Sequence, residues 1–509
     1  MIEARDWERA VELLNGDWLS IFFSTTDLSA VLKATRTMPE IELHRAPKIA
    51  YLAQYLGRSL QTQPTFDFPR TDQAIQECRN ADRDREVIET AIIAISSLLA
   101  QKRAADAWHT VSASLPLVKA STANMYSASV SVAALWYAAA GHTALLVGEF
   151  NDAFRYLSIG WNFRSQSATP YAAVVLAAYL SLTNSLLGDS SEVDKWVRTV
   201  DDLLAQAPTL TERIYIERVS ALAQLLDAAD RLEIERSRPL YDLLSDNMAY
   251  DEFWSMTAVA IVRHLINIGD GDRAARILGV VGELYSTGLT PDTVHGSMFS
   301  LARAELALVQ GRISEAEQAL VGMTVMPMPI VATVCAARLA LSTGDYARAA
   351  RLVSVVESAG VWGRVQWEGR AIRAAAAIAL GRPGEAARML DTPNVFAPVQ
   401  RRTLSLIPSG LQDRMRAELH LDDELLPSTN VLLSRHAAHV VVLTASERRV
   451  LSSLATPATM LEIAADLFIT RNTLKSHVRT LYKKLGASSR QEALTYANAL
   501  GLVPSSLNE

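Results

Sequence analysis

The sequence predicts an all-α protein in which a long array of paired helices is followed by a small four-helix domain. Three observations support this prediction. Residues 1–430 contain few strand-like alternations and divide into helical segments of 12 to 18 residues with short breaks. Within the array, a glycine followed five residues later by alanine recurs. Near the C-terminal end, three helix-capping boxes occur within about 50 residues.

Length and composition indicate a folded chain of several domains. The 509 residues exceed the usual size of one domain, so two to four are expected, and half of the residues are apolar. The formal net charge is −6, yet the eight Lys or Arg and five Asp or Glu that follow residue 442 give that segment +3. The preceding 442 residues therefore carry −9 and are not expected to bind nucleic acid by themselves.

Residues 1–110 are predicted to form an N-terminal helical cap of the array. Residues 7–10 are typical of the start of a repeat helix, and residues 61–70, with two prolines and two phenylalanines, indicate a loop. The first six residues carry charges of both signs and no apolar core follows them, so no signal peptide is expected.

Residues 111–426 are predicted to form an irregular repeat domain. The glycine pattern occurs five times with alanine and once with valine, at Gly148–Ala153, Gly188–Val193, Gly269–Ala274, Gly311–Ala316, Gly344–Ala349 and Gly381–Ala386. Successive glycines lie 40, 81, 42, 33 and 37 residues apart, and the interval of 81 suggests a missing copy near residues 228–231. Glycine would end one helix, and the small residue would let the next helix pack closely. Such units bury their apolar faces against their neighbours and stack into a solenoid.

Two long segments without charged side chains raise the question of a membrane. No charged residue lies between Lys119 and Glu149, or between Arg164 and Asp189. Both segments are rich in Ser, Thr, Ala and Gly, and the second contains a proline and an asparagine. We therefore expect buried helices of a packed array, and no membrane span.

The same region is rich in aromatic residues, which suggests a surface for an effector. The curved inner face of a helical array often binds ligands, and aromatic side chains often line such sites. The alternative for each residue is a place in the repeat core. A second candidate surface is the stretch Trp362–Trp367. The first candidate surface is assigned to Tyr126, Trp136, Tyr137, Trp161 and Tyr171.

The sequence contains no arrangement typical of an enzyme or a metal site. The two cysteines are far apart and match no metal-ligand spacing, and His436 and His439 have no Cys or acidic residue close by. No Gly-x-x-x-x-Gly-Lys-Ser/Thr phosphate-binding loop occurs. We therefore expect no catalytic activity, no cofactor and no metal. Residues 427–442 are predicted to be a linker.

Residues 443–509 are predicted to form four short helices with clear start signals. Capping boxes begin at Thr444, Thr459 and Ser489, and Thr470 is a further N-cap residue. In the helix after Thr470, one face carries the apolar residues Leu474, Val478, Leu481 and Leu485. Another face carries basic residues at intervals of four, namely Arg471, Lys475, Arg479 and Lys483. An apolar face and a basic face on such a helix suit the major groove of DNA.

These residues resemble the LuxR/NarL-type helix-turn-helix domain. The resemblance covers about 60 residues and includes Glu462-Ile463-Ala464, Leu467-Phe468-Ile469 and Thr473–Val478. It implies binding of double-stranded DNA, with the two central helices at about 459–467 and 470–485. It also implies base contacts from Lys475, Ser476 and Arg479, and phosphate contacts from Thr470, Arg471, Thr473, Lys483 and Lys484. One departure is Leu461, where the family usually has lysine, so the resemblance does not carry that possible phosphate contact over to this chain.

The array is similar to tetratricopeptide repeats, most clearly over about 300–390. Joined to a LuxR-type domain, it resembles the MalT-like regulators without their nucleotide-binding domain. The resemblance implies a cytoplasmic, homodimeric transcriptional regulator whose array senses a small-molecule or protein effector. An alternative function is a protein-interaction scaffold that DNA binding tethers to promoters. A third, a remnant of an ATP-dependent regulator, is disfavoured by the missing phosphate-binding loop.

Overall fold

All secondary structure that this computed structural model describes is helical, which confirms the all-α prediction. The described residues are 6–12, 14, 28–123, 127–167, 169–207, 213–246, 251–286, 289–324, 328–358, 363–390, 401–421, 444–485, 487 and 489–499. No strand occurs within these ranges. The chain divides into two compact units, Met1–Gln224 and Leu225–Glu509.

In the first unit, consecutive helices pack as pairs: α5 with α6, α7 with α8, and α9 with α10. The helices in its described residues are α1 (Leu28–Thr37), α2 (Glu40–Arg45), α3 (Pro47–Tyr55), α4 (Asp72–Asn80), α5 (Asp84–Ala100), α6 (Ala104–Thr122), α7 (Val130–Val147), α8 (Phe150–Asn162), α9 (Tyr171–Leu187) and α10 (Ser190–Gln206). Helix α11 (Arg213–Asp230) contains the boundary to the second unit.

In the second unit the pairs are α13 with α14, α15 with α16, α17 with α18, and α19 with α20. The first helices of successive pairs also pack on each other, α13 on α15, α15 on α17 and α17 on α19. These helices are α12 (Ile234–Ser245), α13 (Trp254–Asn267), α14 (Gly271–Leu284), α15 (Val294–Val309), α16 (Ile313–Ala319), α17 (Met328–Ser342), α18 (Tyr346–Ser358), α19 (Gly363–Ala379), α20 (Pro383–Leu390), α21 (Arg401–Ser405) and α22 (Ser409–Leu419). A separate group near the C-terminal end comprises α23 (Ala445–Leu454), α24 (Met460–Asp466), α25 (Arg471–Leu485) and α26 (Arg490–Ala499).

The six glycines of the sequence pattern all adopt the left-handed conformation expected at the end of a helix. Their φ angles lie between 72° and 88°, where a side chain would be strained. At Gly269, the next residue closes the turn, because the N–H of Asp270 donates to the carbonyl of Leu265 at 2.8 Å. The small residue five positions after each glycine is buried in every copy, with at most 1% of its surface exposed. The proposed role of the pattern in helix pairing is therefore confirmed, whereas its relation to tetratricopeptide repeats stays a prediction.

Three further turns have the same geometry without glycine. Leu232 (φ 58°), Lys102 (φ 61°) and Asp82 (φ 52°) are left-handed, and each is followed by the same closing backbone hydrogen bond. Leu232 supplies the copy missing near residues 228–231 and divides the 81-residue interval into 44 and 37. Residue 110, the predicted end of the cap, lies inside α6, and paired helices occur on both sides of it. The predicted linker, 427–442, lies outside the described residues.

The two segments without charged side chains are largely core helices. Helix α7 is the one described helix long and apolar enough to cross a membrane, and 78% of it is buried inside the protein. Close packing in this region depends on glycines. A Cβ atom on Gly160 of α8 would lie 2.8 Å from both Leu176 of α9 and Tyr137 of α7. These helices therefore approach more closely than any larger residue allows.

We predict opposite effects of alanine at two helical glycines. Gly160→Ala should lower the free energy of unfolding by about 1–3 kcal/mol, because its new methyl group overlaps the side chains of two neighbouring helices. Gly279→Ala is the matched control, since a Cβ atom there meets nothing within 4 Å on an exposed part of α14. It should raise stability by about 0.5–1 kcal/mol through its helix propensity. Urea unfolding of both variants measures the difference, and shifts of the same sign would contradict this account of the packing.

Candidate nucleic-acid interface

The four C-terminal helices α23–α26 enclose a core of their own. Leu474, Val478 and Leu481 of the predicted apolar face are buried, with between 0 and 8% of their surface exposed. They pack against side chains of the other three helices: Val450, Leu451, Leu454, Ile463, Ala464, Ala493 and Ala497. The side chain of Leu485, predicted to continue this face, lies outside what the structure describes. The buried stripe fixes which side of α25 faces away from the domain.

Two of the predicted capping boxes are complete. The N–H of Glu447 donates to Thr444 Oγ1 at 3.2 Å, while the N–H of Thr444 donates to Glu447 Oε2 at 2.6 Å. The same reciprocal pair joins Thr459 and Glu462, at 3.4 and 2.7 Å. In the third predicted box, which begins at Ser489, the N–H of Glu492 donates to Ser489 Oγ at 3.1 Å. These bonds satisfy donors that a helix start leaves open, so they fix where α23 and α24 begin.

The turn between α24 and α25 closes in the same way as the turns of the array. Phe468 is left-handed, with a φ of 55°, and the N–H of Ile469 donates to the carbonyl of Ala464 at 3.0 Å. Thr470 then caps α25, because its Oγ1 accepts from the N–H of Thr473 at 3.2 Å. A short helix, a tight turn and a longer helix thus follow one another, as the resemblance implies.

The side of α25 away from the core carries exposed basic residues. Arg471, Lys475 and Arg479 are exposed, as is Ser476, the small residue that the resemblance places among them. Thr470 and Thr473, at the start of the helix, are also exposed. The side chain of Lys483 lies outside what the structure describes. Positive charge and polar side chains thus share one open face, which can approach a polyanion without disturbing the core.

Lys484 has a different environment from the other predicted DNA contacts. Its ammonium donates to Glu447 Oε2 at 2.7 Å, and about two-thirds of its side chain is buried. The bond joins the end of α25 to the capping box of α23. Burial by itself would raise the pKa of Glu447, but hydrogen bonds from Lys484 and Thr444 outweigh it and lower that pKa below its usual value. The ion pair is therefore intact at neutral pH and is lost as pH falls through the lowered pKa.

Arg490 also serves the domain's own structure, a role that sequence reasoning missed. Its guanidinium donates to the carbonyls of Leu454 and Ala458, both at 2.9 Å, and to that of Thr456. These carbonyls end α23 and line the turn that follows, where helix geometry leaves acceptors open. No local pattern indicates this role, because the three backbone acceptors lie 32 to 36 positions away in sequence.

The aromatic candidates for an effector surface have different environments. Trp136 and Tyr137 are buried at 0 and 3% exposure, and Trp136 Nε1 donates to Ser114 Oγ at 3.1 Å, so the core alternative fits both. Trp161 is partly buried and packs edge-on against Trp196, with ring centroids 4.9 Å apart, and Tyr171 is partly buried at the start of α9. Tyr126 and Trp362 lie outside the described residues, whereas Trp367 is described and partly buried.

Comparison with known proteins identifies the C-terminal domain. Residues 441–497 match the family described as "Bacterial regulatory proteins, luxR family". The chain is 33% identical over 95 residues to the "Probable csgAB operon transcriptional regulatory protein" of Salmonella typhimurium, covering 18% of this chain and 44% of that protein. It is 45% identical over 69 residues to the "Probable transcriptional regulatory protein SgaR" of Hyphomicrobium methylovorum, covering 14% and 32% respectively.

A third relative is the "Probable transcriptional regulatory protein NarL" of Mycobacterium tuberculosis, 43% identical over 63 residues, with 12% of this chain and 29% of that protein covered. The chain thus spans less than half of the length of these curated relatives. The C-terminal helices form a LuxR-family helix-turn-helix domain, which confirms the resemblance for that part of the chain.

We predict that two lysines of α25 differ sharply in their effect on domain stability. Lys484→Met removes the partner of a buried carboxylate and should destabilise the C-terminal domain by about 1–3 kcal/mol. Lys475→Met, on the exposed face, should change stability by no more than about 0.5 kcal/mol. Hydrogen exchange of peptides from 444–499 measures both effects in the full chain. Equal exchange in the two variants would show that the Lys484–Glu447 bond does not hold α23 and α25 together.

Proposed function

We propose that the chain is a sequence-specific transcriptional regulator that inserts α25 into the major groove of double-stranded DNA. The observation that carries this proposal is the division of α25 into two faces. Leu474, Val478 and Leu481 anchor the helix in a LuxR-family domain, while Arg471, Lys475 and Arg479 lie on a different face that is exposed to solvent. A helix held by one face and charged on the other can bind a groove as a rigid body.

The positions along α25 support different roles in DNA binding. Lys475, Ser476 and Arg479 lie one and two turns from the helix start and are proposed to contact base edges, where lysine and arginine favour guanine. Phosphate contacts are assigned to Arg471 and Lys483 and, near the helix N-terminus, to Thr470 and Thr473. For Lys484, the bond to Glu447 favours a positioning role in place of a phosphate contact.

The helical body is proposed to sense an effector and to control how the DNA-binding domains are presented. Two copies of the chain would bind two half-sites as a homodimer in the cytoplasm. An effector can shift such a protein only if it binds two states of the body with different affinity. Of the aromatic candidates that the structure describes on the first surface, Trp161 and Tyr171 keep exposed surface and could contact an effector.

The first test of DNA recognition is selection from genomic DNA. The purified full chain is mixed with sheared DNA from its own source at moderate salt, and the retained fragments are sequenced. A few sharp sites that share a two-fold motif are expected of a homodimer that reads bases. Retention without any shared motif, in the presence of cell extract as well as in its absence, would contradict sequence-specific recognition.

We predict that substitutions of the proposed base contacts and of a proposed phosphate contact affect the affinity for a selected site differently. Lys475→Ala and Arg479→Ala should each cost about 1–3 kcal/mol and relax base preference, whereas Lys483→Ala should weaken all sequences alike and reduce the salt slope by about 1. Arg449→Ala is the control, since it removes the same charge from an exposed position on α23. Titration by fluorescence anisotropy at several salt concentrations gives these values. Wild-type affinity in all three α25 variants would exclude this face from the interface.

A further inference from the structure

A cluster of charged side chains lies in the interior of the second unit, where the first helices of successive pairs meet. The side chains of Arg263, Arg338, Arg402 and Glu305 are only 3 to 6% exposed. Charged residues are rarely buried to this degree unless each is paired. The full cluster consists of four arginines and three carboxylates, carried by α11, α13, α15, α17, α19 and α21: Arg263, Arg338, Arg364, Arg402, Asp230, Glu305 and Glu368.

The contacts within this arginine cluster connect helices that are distant in sequence. Glu305 accepts from Arg263 Nη2 at 2.6 Å and from Arg402 Nη2 at 2.8 Å. Arg364 bonds to Asp230, a residue 134 positions earlier, and Arg338 bonds to Glu368. Arg263 Nη1 approaches Asp230 to 3.6 Å, too far for a hydrogen bond. A ligand held here would therefore contact helices from most of the second unit.

The charges of the arginine cluster do not balance. Four guanidinium groups face three carboxylates, which leaves one positive charge in excess, because arginine stays protonated in proteins. Cys335 lies within electrostatic range of the cluster, but burial raises the pKa of its thiol to about 11, so it contributes no negative charge at neutral pH. Burial also lowers the pKa of Arg364 to about 10, as expected where positive charge is poorly compensated.

Two buried donors of the arginine cluster make no hydrogen bond within the described residues. Arg263 Nη1 and Arg402 Nε have no hydrogen-bond acceptor within the described part of the chain, although both atoms are closed off from solvent. Both belong to guanidinium groups that bind Glu305 through another nitrogen, one at each carboxylate oxygen. A buried charge without a full set of partners is strongly destabilising. Guanidinium donors in this arrangement match the oxygens of a carboxylate or a phosphate.

We propose that the arginine cluster binds a small anion, a carboxylate or phosphate group of the effector, which supplies the missing negative charge and accepts from Arg263 and Arg402. This inference rests on the proposed sensing function of the body and gives the effector a chemical class. Arg402 lies on α21, close in sequence to the end of the array, so an anion bound there acts on the last helices before the DNA-binding domain. Ligand binding and the orientation of those helices are thereby coupled.

The test measures the melting temperature of the full chain against inorganic phosphate and, separately, succinate. Ionic strength is held constant with sodium chloride, and saturation separates specific binding from the general stabilisation by kosmotropic anions, which rises without limit. A ligand that binds the folded state alone raises the melting temperature with its concentration. We expect a saturable rise with at least one probe. The two probes distinguish a phosphate-bearing effector from a carboxylate-bearing one, and no rise with either probe overturns the proposal.

Two variants of cluster residues test whether the rise in melting temperature comes from the arginine cluster. Arg402→Gln removes the excess charge and one free donor, and should weaken binding of the probe by about tenfold or more. Arg382→Gln is the matched control, because it removes the same charge from a side chain in the second unit that is 65% exposed, and it should bind as wild type. Glu368→Gln removes one carboxylate and so leaves a second positive charge in excess, which should increase the rise in melting temperature that the probe causes. Unchanged binding of the probe in both cluster variants overturns the site. If one of the two variants folds poorly, the other decides.

DNA affinity, measured on a selected site without any probe, separates the two proposals. Arg402→Gln leaves α25 untouched and should bind DNA as wild type does in the absence of anion. Loss of anion binding with intact DNA binding confirms the arginine cluster as the site. A wild-type chain that binds DNA but neither probe refutes this inference alone, whereas one that binds a probe but no DNA refutes the proposed function alone.

Discussion

The left-handed turn between paired helices is the constraint on which the array depends. Each helix has an apolar face that only a neighbouring helix can bury, so the chain must reverse within a few residues. The reversal needs one residue with positive φ and one backbone hydrogen bond. At Gly381, for example, the N–H of Arg382 donates to the carbonyl of Ala377 at 2.8 Å. The small buried residue five positions later sets how closely the next helix approaches. The same closure at Phe468 joins the two central helices of the DNA-binding domain.

In the DNA-binding domain, a single carboxylate sets both where a helix begins and how two helices meet. Glu447 accepts from the N–H of Thr444 and from the ammonium of Lys484, so the capping box of α23 also holds the far end of α25. Arg490 similarly caps the end of α23. Its guanidinium binds the carbonyl of Leu454, the last residue of the helix, and two carbonyls of the turn that follows. Two basic residues are thus used within the domain. The charge that faces outward on α25 is concentrated at Arg471, Lys475 and Arg479, one helical turn apart.

The distribution of charge differs between the surface of the body and the interior of the second unit, which separates the two proposed kinds of binding. The residues before 443 carry a net −9, which opposes nonspecific attachment of the body to phosphate. Inside the second unit, however, four arginines exceed their carboxylate partners. The side chains of the arginine cluster are buried among packed helices, so a DNA duplex cannot reach them. The proposed ligand would therefore be recognised by charge without competition from DNA.

The sequence by itself determined the helical class, the glycine turns and the position of the DNA-binding domain, because these follow from periodicity, φ preference and capping chemistry within a few residues. It missed the turns at Asp82 and Lys102, and it indicated the turn at Leu232 only through the interval between glycines, since none of these residues favours a positive φ. It placed Lys484 with the phosphate contacts of α25 and gave Arg490 no role in the structure of the domain. Only the tertiary structure decided their bonds to α23, the burial of Trp136 and Tyr137, and the arginine cluster. All of these depend on residues brought together over tens to more than a hundred positions, a distance over which a local pattern carries no signal.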